Sequence, residues 1–99
     1  MADNMARRKM GVKINIPHFW QHLTDDMKSI DVDGLTVGEC LNGLLGRFPP
    51  LRERVFDKEG RLLNKVGIYI NGKSSYPDEL TKPVNAGDEI HIMLVLAGG

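Results

Sequence analysis

The 99-residue chain carries a single cysteine, Cys40. A lone thiol excludes a disulfide within the chain and leaves no cysteine set for zinc or an iron–sulfur cluster; it is the usage of a reducing, intracellular setting. An excess of one charge is also missing. Thirteen basic residues offset thirteen acidic ones, so the overall balance points neither to nucleic acid nor to an acidic membrane as a partner. No apolar run approaches the ~18 residues of a membrane span. Residues 1–10 lack the apolar stretch of a secretory signal, so the expected location is the cytoplasm. There is no phosphate-binding glycine loop, no triad spacing and no clustered metal set, so the chain is not expected to be an independent enzyme or to bind a metal or cofactor.

What is present suits one small domain. With 41% hydrophobic and 26% charged residues, the chain can bury a single core but not two. Residues 1–10 have no hydrophobic period and include the basic run Arg7-Arg8-Lys9, so they read as a flexible N-terminal arm, with Met1, Met5 and Met10 all open as start residues. Residues 11–95 read as the folded domain and residues 96–99 as a flexible tail.

Within the domain, Val12, Ile14 and Ile16 alternate with polar residues, the period of a strand with one buried face. Pro17 limits that strand's pairing. His18 and His22 would share a face only on an α-helix; next to Pro17 and without a third ligand they read as loop histidines, and Trp20 as half buried. A second strand, Lys28 to Val32, folds back antiparallel on the first. Thr36-Val37-Gly38-Glu39 then matches a capping box and predicts a helix from Val37 to Phe48, stopped by Pro49-Pro50, with Val37, Leu41, Leu44, Leu45 and Phe48 along its apolar stripe. Cys40 falls on the flank of that stripe and reads as a packed thiol. A further helical turn is expected within Leu51 to Phe56.

Val66, Ile68 and Ile70 predict a third strand, and Asn71-Gly72 a type I′ hairpin turn into a short fourth strand, Lys73 to Tyr76. Pro77 to Leu80 reads as a turn. The last strand, Glu89 to Val95, is apolar on both sides: Ile90, Ile92 and Leu94 would face the helix and His91, Met93 and Val95 the other way, which predicts a central place beside the first strand. The fold class expected is α+β, one five-stranded mixed sheet with the main helix packed across one face. From Arg47 to Lys65, six basic residues stand against Glu53, Asp57 and Glu59; a solvated surface and a docking surface are both open there.

The sequence ends in Leu96-Ala97-Gly98-Gly99. Two terminal glycines occur by chance in only about 0.5% of chains, and without Cβ atoms they make a thin segment that a narrow enzyme channel could admit.

Taken in order, Thr36-Val37-Gly38-Glu39, Tyr69-Ile70-Asn71-Gly72, Ala86-Gly87-Asp88-Glu89-Ile90 and Ala97-Gly98-Gly99 resemble the ubiquitin-like β-grasp sulfur carriers of the MoaD/ThiS family, over about Gly11 to Gly99. The resemblance implies that the Gly99 carboxylate is the functional group. An E1-like adenylating enzyme would activate it with ATP, sulfur would convert it to a thiocarboxylate, and a sulfur-accepting biosynthetic enzyme would then draw on it, so the chain is a protein co-substrate and a monomer when free. Tyr69, His91, Met93 and Val95 would form the partner-binding face, with the N-terminal arm as the competing cover for Met93 and Val95. The stretch from Leu51 to Gly60, with Tyr69 to Gly72, is most similar to carriers feeding cysteine or homocysteine synthesis. Molybdopterin synthase small subunits are similar throughout the fold but commonly carry a proline-rich step where this chain has Met93-Leu94-Val95-Leu96. A ubiquitin-like modifier, joined to lysines through Gly99, would need the same activated tail, and a plain docking module would need none.

Overall fold

In a computed structural model the structure describes residues 11–95, so the expectations for the arm 1–10 and the tail 96–99 lie outside the described residues. Five strands, β1 (Val12–Asn15), β2 (Ser29–Val32), β3 (Val66–Ile70), β4 (Lys73–Ser74) and β5 (Glu89–Leu94), form one sheet in the order β2-β1-β5-β3-β4. β5 runs parallel to β1 and antiparallel to β3, and is central, as its two apolar faces predict. The register sets Ile14 beside Ile90 and Ile68 beside Ile92, so the inward residues of three strands form one apolar floor.

Across that floor lies α1 (Val37–Arg47). Val37, Cys40, Leu41, Leu44 and Leu45 are all buried by it, the predicted stripe with Cys40 inside it rather than at its flank. The Glu39 N–H donates to Thr36 Oγ1 at 3.2 Å, which caps the helix as expected. The returning half of the capping box is displaced by one residue: Glu39 Oε1 accepts from the Leu35 N–H at 2.8 Å rather than from Thr36. Gly38 allows the helix start to press on the chain at Leu80, because a Cβ there would stand 2.9 Å from the Leu80 carbonyl oxygen. Phe48 caps the far end through its N–H to the Leu44 carbonyl, and the helix stops one residue before the predicted bound because a residue preceding proline is driven out of helical backbone. A 3₁₀ turn, Pro49–Leu51, leads into the short α2 (Arg52–Val55), which pins Leu51 and Val55 in the core.

Asn71 and Gly72 both have positive φ, 51° and 86°, as a type I′ turn requires. Asn71 also locks that hairpin to the start of β5, donating from Nδ2 to Asp88 Oδ1 at 3.0 Å and accepting the Glu89 N–H at 2.9 Å. The Asn85 N–H and the Asn71 amide together hold the Asp88 carboxyl below the ordinary carboxylate range. A lowered folded-state value means the stabilisation is full above the unfolded value and is lost as pH falls through the folded one.

Three local expectations are corrected. His18 to Leu23 is a 3₁₀ helix rather than a loop; at three residues per turn it brings every third residue into line, so His18 and His22 point apart. Trp20 is 3% exposed, not half buried, because this turn folds it down onto the core. The fourth strand ends at Ser74: Ser75 turns inward and gives both its N–H and its hydroxyl to the Ile68 carbonyl, at 3.0 and 2.7 Å, while Tyr76 is exposed and Pro77 has no N–H with which to extend the ladder.

Candidate functional site

Strand directions place the ends of β1 and β5 and the starts of β2 and β3 at one end of the sheet. The chain leaves the sheet there, from its central strand. The Val95 N–H still donates to the Lys65 carbonyl at 2.7 Å, one residue past β5, so the exit is fixed by the ladder up to that point.

On the face away from α1, alternation and register bring the predicted residues together. Tyr69 stands opposite His91 and Gly67 opposite Met93. Met93 and Val95 are 51% and 50% exposed, large values for apolar side chains on a central strand and its continuation. Gly67 was not anticipated from the sequence. Its missing side chain leaves a gap between Tyr69 and Val95, since a Cβ there would lie 3.6 Å from Tyr69 Cε1 and 3.5 Å from Val95 Cγ2. The gap opens into a groove bounded on its far side by Tyr76 and Pro77.

The same face becomes polar toward the other end of the sheet. Asn15 Nδ2 lies 3.1 Å from Glu89 Oε1 and 3.2 Å from His91 Nε2, and His91 Nδ1 is buried without a partner among the described residues. Asn15 Nδ2 can only donate, so Nε2 is the accepting side of that contact. His91 therefore divides an apolar half, next to the exit of the chain, from a polar half around Asn15 and Glu89. Sequence alternation assigns Asn15 to this face, but only the parallel register of β1 with β5 sets it against His91.

Cys40 has no part in this surface. Burial first, and then the Glu39 and Asp33 carboxylates, together push its thiol up to about 11. Alkylation of the native protein at pH 8 is expected to run roughly two orders of magnitude slower than for a free cysteine, and at the ordinary rate in denaturant. Fast native labelling, read by mass spectrometry, would contradict that burial. Among the described residues no group of three or more His, Cys, Asp or Glu side chains could hold a metal ion, and no helix is long and apolar enough to cross a membrane.

The model of the ThiS family matches residues 16–99. Over 71 residues the chain is 38% identical to small archaeal modifier protein 1 of Haloferax volcanii, covering 71% of this chain and 78% of that protein. It is 28% identical over 91 residues to a candidate sulfur carrier protein of Archaeoglobus fulgidus, covering 91% of this chain and 100% of the relative. Among solved structures, a chain of the Amycolatopsis orientalis BexX/CysO complex superposes with a TM-score of 0.78 at 27% identity, covering 89% of this chain and 99% of that one.

Proposed function

This chain belongs to the ThiS family of ubiquitin-like β-grasp proteins, and on that premise we propose that it is a sulfur carrier whose reactive group is the carboxylate of Gly99. The observation that carries the reading is the exit of the chain from the central strand. β5 pairs with β3 as far as Leu94 and the Val95 N–H bonds the Lys65 carbonyl, so Val95 is held in place, and Leu96-Ala97-Gly98-Gly99 come next in the sequence. At about 3.3 Å per residue, four residues reach roughly 13 Å beyond Val95, enough to enter an active site while the domain stays outside.

The chemistry follows from the group. A terminal carboxylate, with a pKa of about 3.5, is anionic at neutral pH and a poor acceptor of nucleophiles. Attack by one of its oxygens on the α-phosphorus of ATP releases pyrophosphate and gives an acyl adenylate. Hydrosulfide then attacks the carbonyl carbon, AMP leaves, the S–H proton is lost and a thiocarboxylate remains; a persulfide in its place gives an acyl disulfide, which a second thiol reduces to the thiocarboxylate with formation of a disulfide. ATP and the catalytic groups belong to an E1-like partner, and the thiocarboxylate is spent on a sulfur-accepting enzyme. The pattern from Leu51 to Gly60 supports cysteine- or homocysteine-type synthesis over molybdopterin synthesis. The cytoplasm, where such enzymes and ATP meet, is the location that fits.

Incubation with ATP, the organism's E1-like enzyme and a sulfide or persulfide donor tests this by intact mass. Replacement of one oxygen by sulfur, lost when Gly99 is deleted, is the expected result. No mass gain, with an enzyme active on another carrier, would overturn the reading. The 38% identity to a small archaeal modifier favours a second reading, in which a lysine amine captures the same adenylate. Gly99-dependent higher-mass adducts on denaturing immunoblots are its signature.

Docking of both enzymes falls to the apolar half of the open face, Tyr69, Met93 and Val95, with His91 at its border. Met93→Glu puts a carboxylate at the centre of that half without touching the core. It is expected to slow adenylation about fivefold or more, a loss of ~1 kcal/mol or greater, with an unchanged circular dichroism spectrum. Normal adenylation kinetics in the folded variant would remove this face from the interaction.

A further inference from the structure

The basic excess between Arg47 and Lys65 resolves into two groups. Arg61 is engaged with Asp57 and Glu59, at 3.4 and 3.6 Å, and Arg47 lies over the Phe48 ring at 5.4 Å. Arg52, Arg54, Lys58 and Lys65 are exposed and form no ion pair among the described residues. In a chain whose charges sum to zero, they are a local surplus.

Their position gives the surplus a direction. Arg54 and Lys65 rim a groove lined by Trp20, Leu23 and Leu94, with Glu53 as its acid. Leu94 is the last residue of β5, and the Lys65 carbonyl holds the Val95 N–H, so this rim adjoins the point where the chain leaves the sheet. Arg52, two residues earlier on α2, turns away and lines a separate groove with Asp57 and Lys58. An enzyme that draws in residues 96–99 closes around Val95 and so comes up against Arg54 and Lys65. A basic or neutral rim on that enzyme would leave them unpaired as water is squeezed out; an acidic rim would pair them and raise the rate of encounter.

We propose that Arg54 and Lys65 form an electrostatic docking collar for an acidic protein surface, the rim of the channel through which the activating enzyme receives the tail. The proposal rests on the carrier reading and names the chemistry of that partner's surface. The collar adjoins the apolar face through Val95 but is distinct from it: Met93 supplies buried contact, whereas the collar supplies steering that salt suppresses.

The test is ATP-dependent adenylation of the full chain by the organism's E1-like enzyme, measured as KM for the carrier and kcat over a range of sodium chloride. The variants are Arg54→Glu with Lys65→Glu and, as a control at the other end of the sheet, Lys73→Glu. The double variant is expected to raise KM at least about tenfold at low salt and to leave kcat within about twofold, with the gap closing toward ~1 M salt. Lys73→Glu should behave as wild type. In a ¹⁵N-labelled carrier the indole signal of Trp20, the one tryptophan, should shift when unlabelled enzyme is added and fail to shift in the double variant at the same concentration. A folded double variant with wild-type KM, or a wild-type KM indifferent to salt, would overturn the collar while leaving the carrier reading intact. A wild-type chain that the enzyme neither binds nor adenylates would overturn both. If the double variant fails to melt cooperatively, Arg54→Gln alone must still flatten the salt dependence, and an unchanged slope counts against the proposal.

Discussion

Deletion of Gly98 and Gly99 is expected to abolish ATP-dependent activation altogether while moving the melting temperature by no more than about 2 °C. The first half follows from the chemistry: the deletion transfers the terminal carboxylate to Ala97, two residues closer to the sheet, and shortens the reach beyond Val95 by roughly 7 Å. A near-attack geometry requires the reacting atoms within ~3.5 Å, so a displacement of that size is not made good by local adjustment. The second half follows from what glycine lacks. Neither residue has a side chain to bury, and the core side chains run from Val12 to Ile92, with Leu94 packed against them. A change of a few tenths of a kcal/mol corresponds to about 2 °C in a domain of this size. The measurements are intact mass after incubation with the activating system and a calorimetric melt of the same sample. Activation that survives the deletion would rule out Gly99 as the reacting group. A large fall in melting temperature would mean that the tail also serves stability.

The sequence made the architecture legible because its strongest signals were local and redundant. Asn71-Gly72 could hardly be anything but a tight hairpin, and the Thr36 cap and Pro49-Pro50 stop bracket a helix whose stripe is unambiguous. The two apolar faces of β5 placed it centrally, next to β1. What escaped were features decided by tertiary packing. Trp20 is buried because a 3₁₀ turn replaced the expected loop, a choice made by the core beneath it and invisible in the residues His18 to Leu23. The meeting of Asn15, Glu89 and His91 depends on register across two strands more than seventy residues apart in sequence, as the separations of 74 and 76 show. Gly67 looked like any glycine within a strand; its use, opening the face between Tyr69 and Val95, appears only when β3 and β5 are set side by side. Of the site itself, Tyr69, His91, Met93 and Val95 were assigned to one face by period alone. The basic stretch needed the position of α2 and the identity of the paired acids before Arg54 and Lys65 could be separated from Arg61.

Leu41→Ala is expected to produce the opposite pattern, a large loss of stability with the activating chemistry intact wherever the protein remains folded. Leu41 is fully buried in the middle of α1, between the turns that carry Val37 and Leu44, and faces the sheet. Truncation to alanine removes its apolar contacts and leaves a cavity that a helix fixed at both ends cannot collapse to fill: Thr36 and the Gly38–Leu80 contact hold one end, and Phe48 with Pro49 the other. The expected cost is about 2–5 kcal/mol. At ~4–8 °C per kcal/mol this lowers the melting temperature by at least about 8 °C. Denaturant unfolding should show a lower midpoint with an unchanged slope, since the surface exposed on unfolding is nearly the same. Below the lowered transition the outer face and the exit of the chain are untouched, because Leu41 lies on the far side of the sheet from Met93. Adenylation at 15 °C should therefore proceed at the wild-type rate. Loss of activation in a variant that is still folded would mean that helix packing and the docking face are coupled through the sheet, and that the two layers of this small domain do not act independently. A cost below about 1 kcal/mol would instead mean that the core around α1 can repack, against the close fit at Gly38.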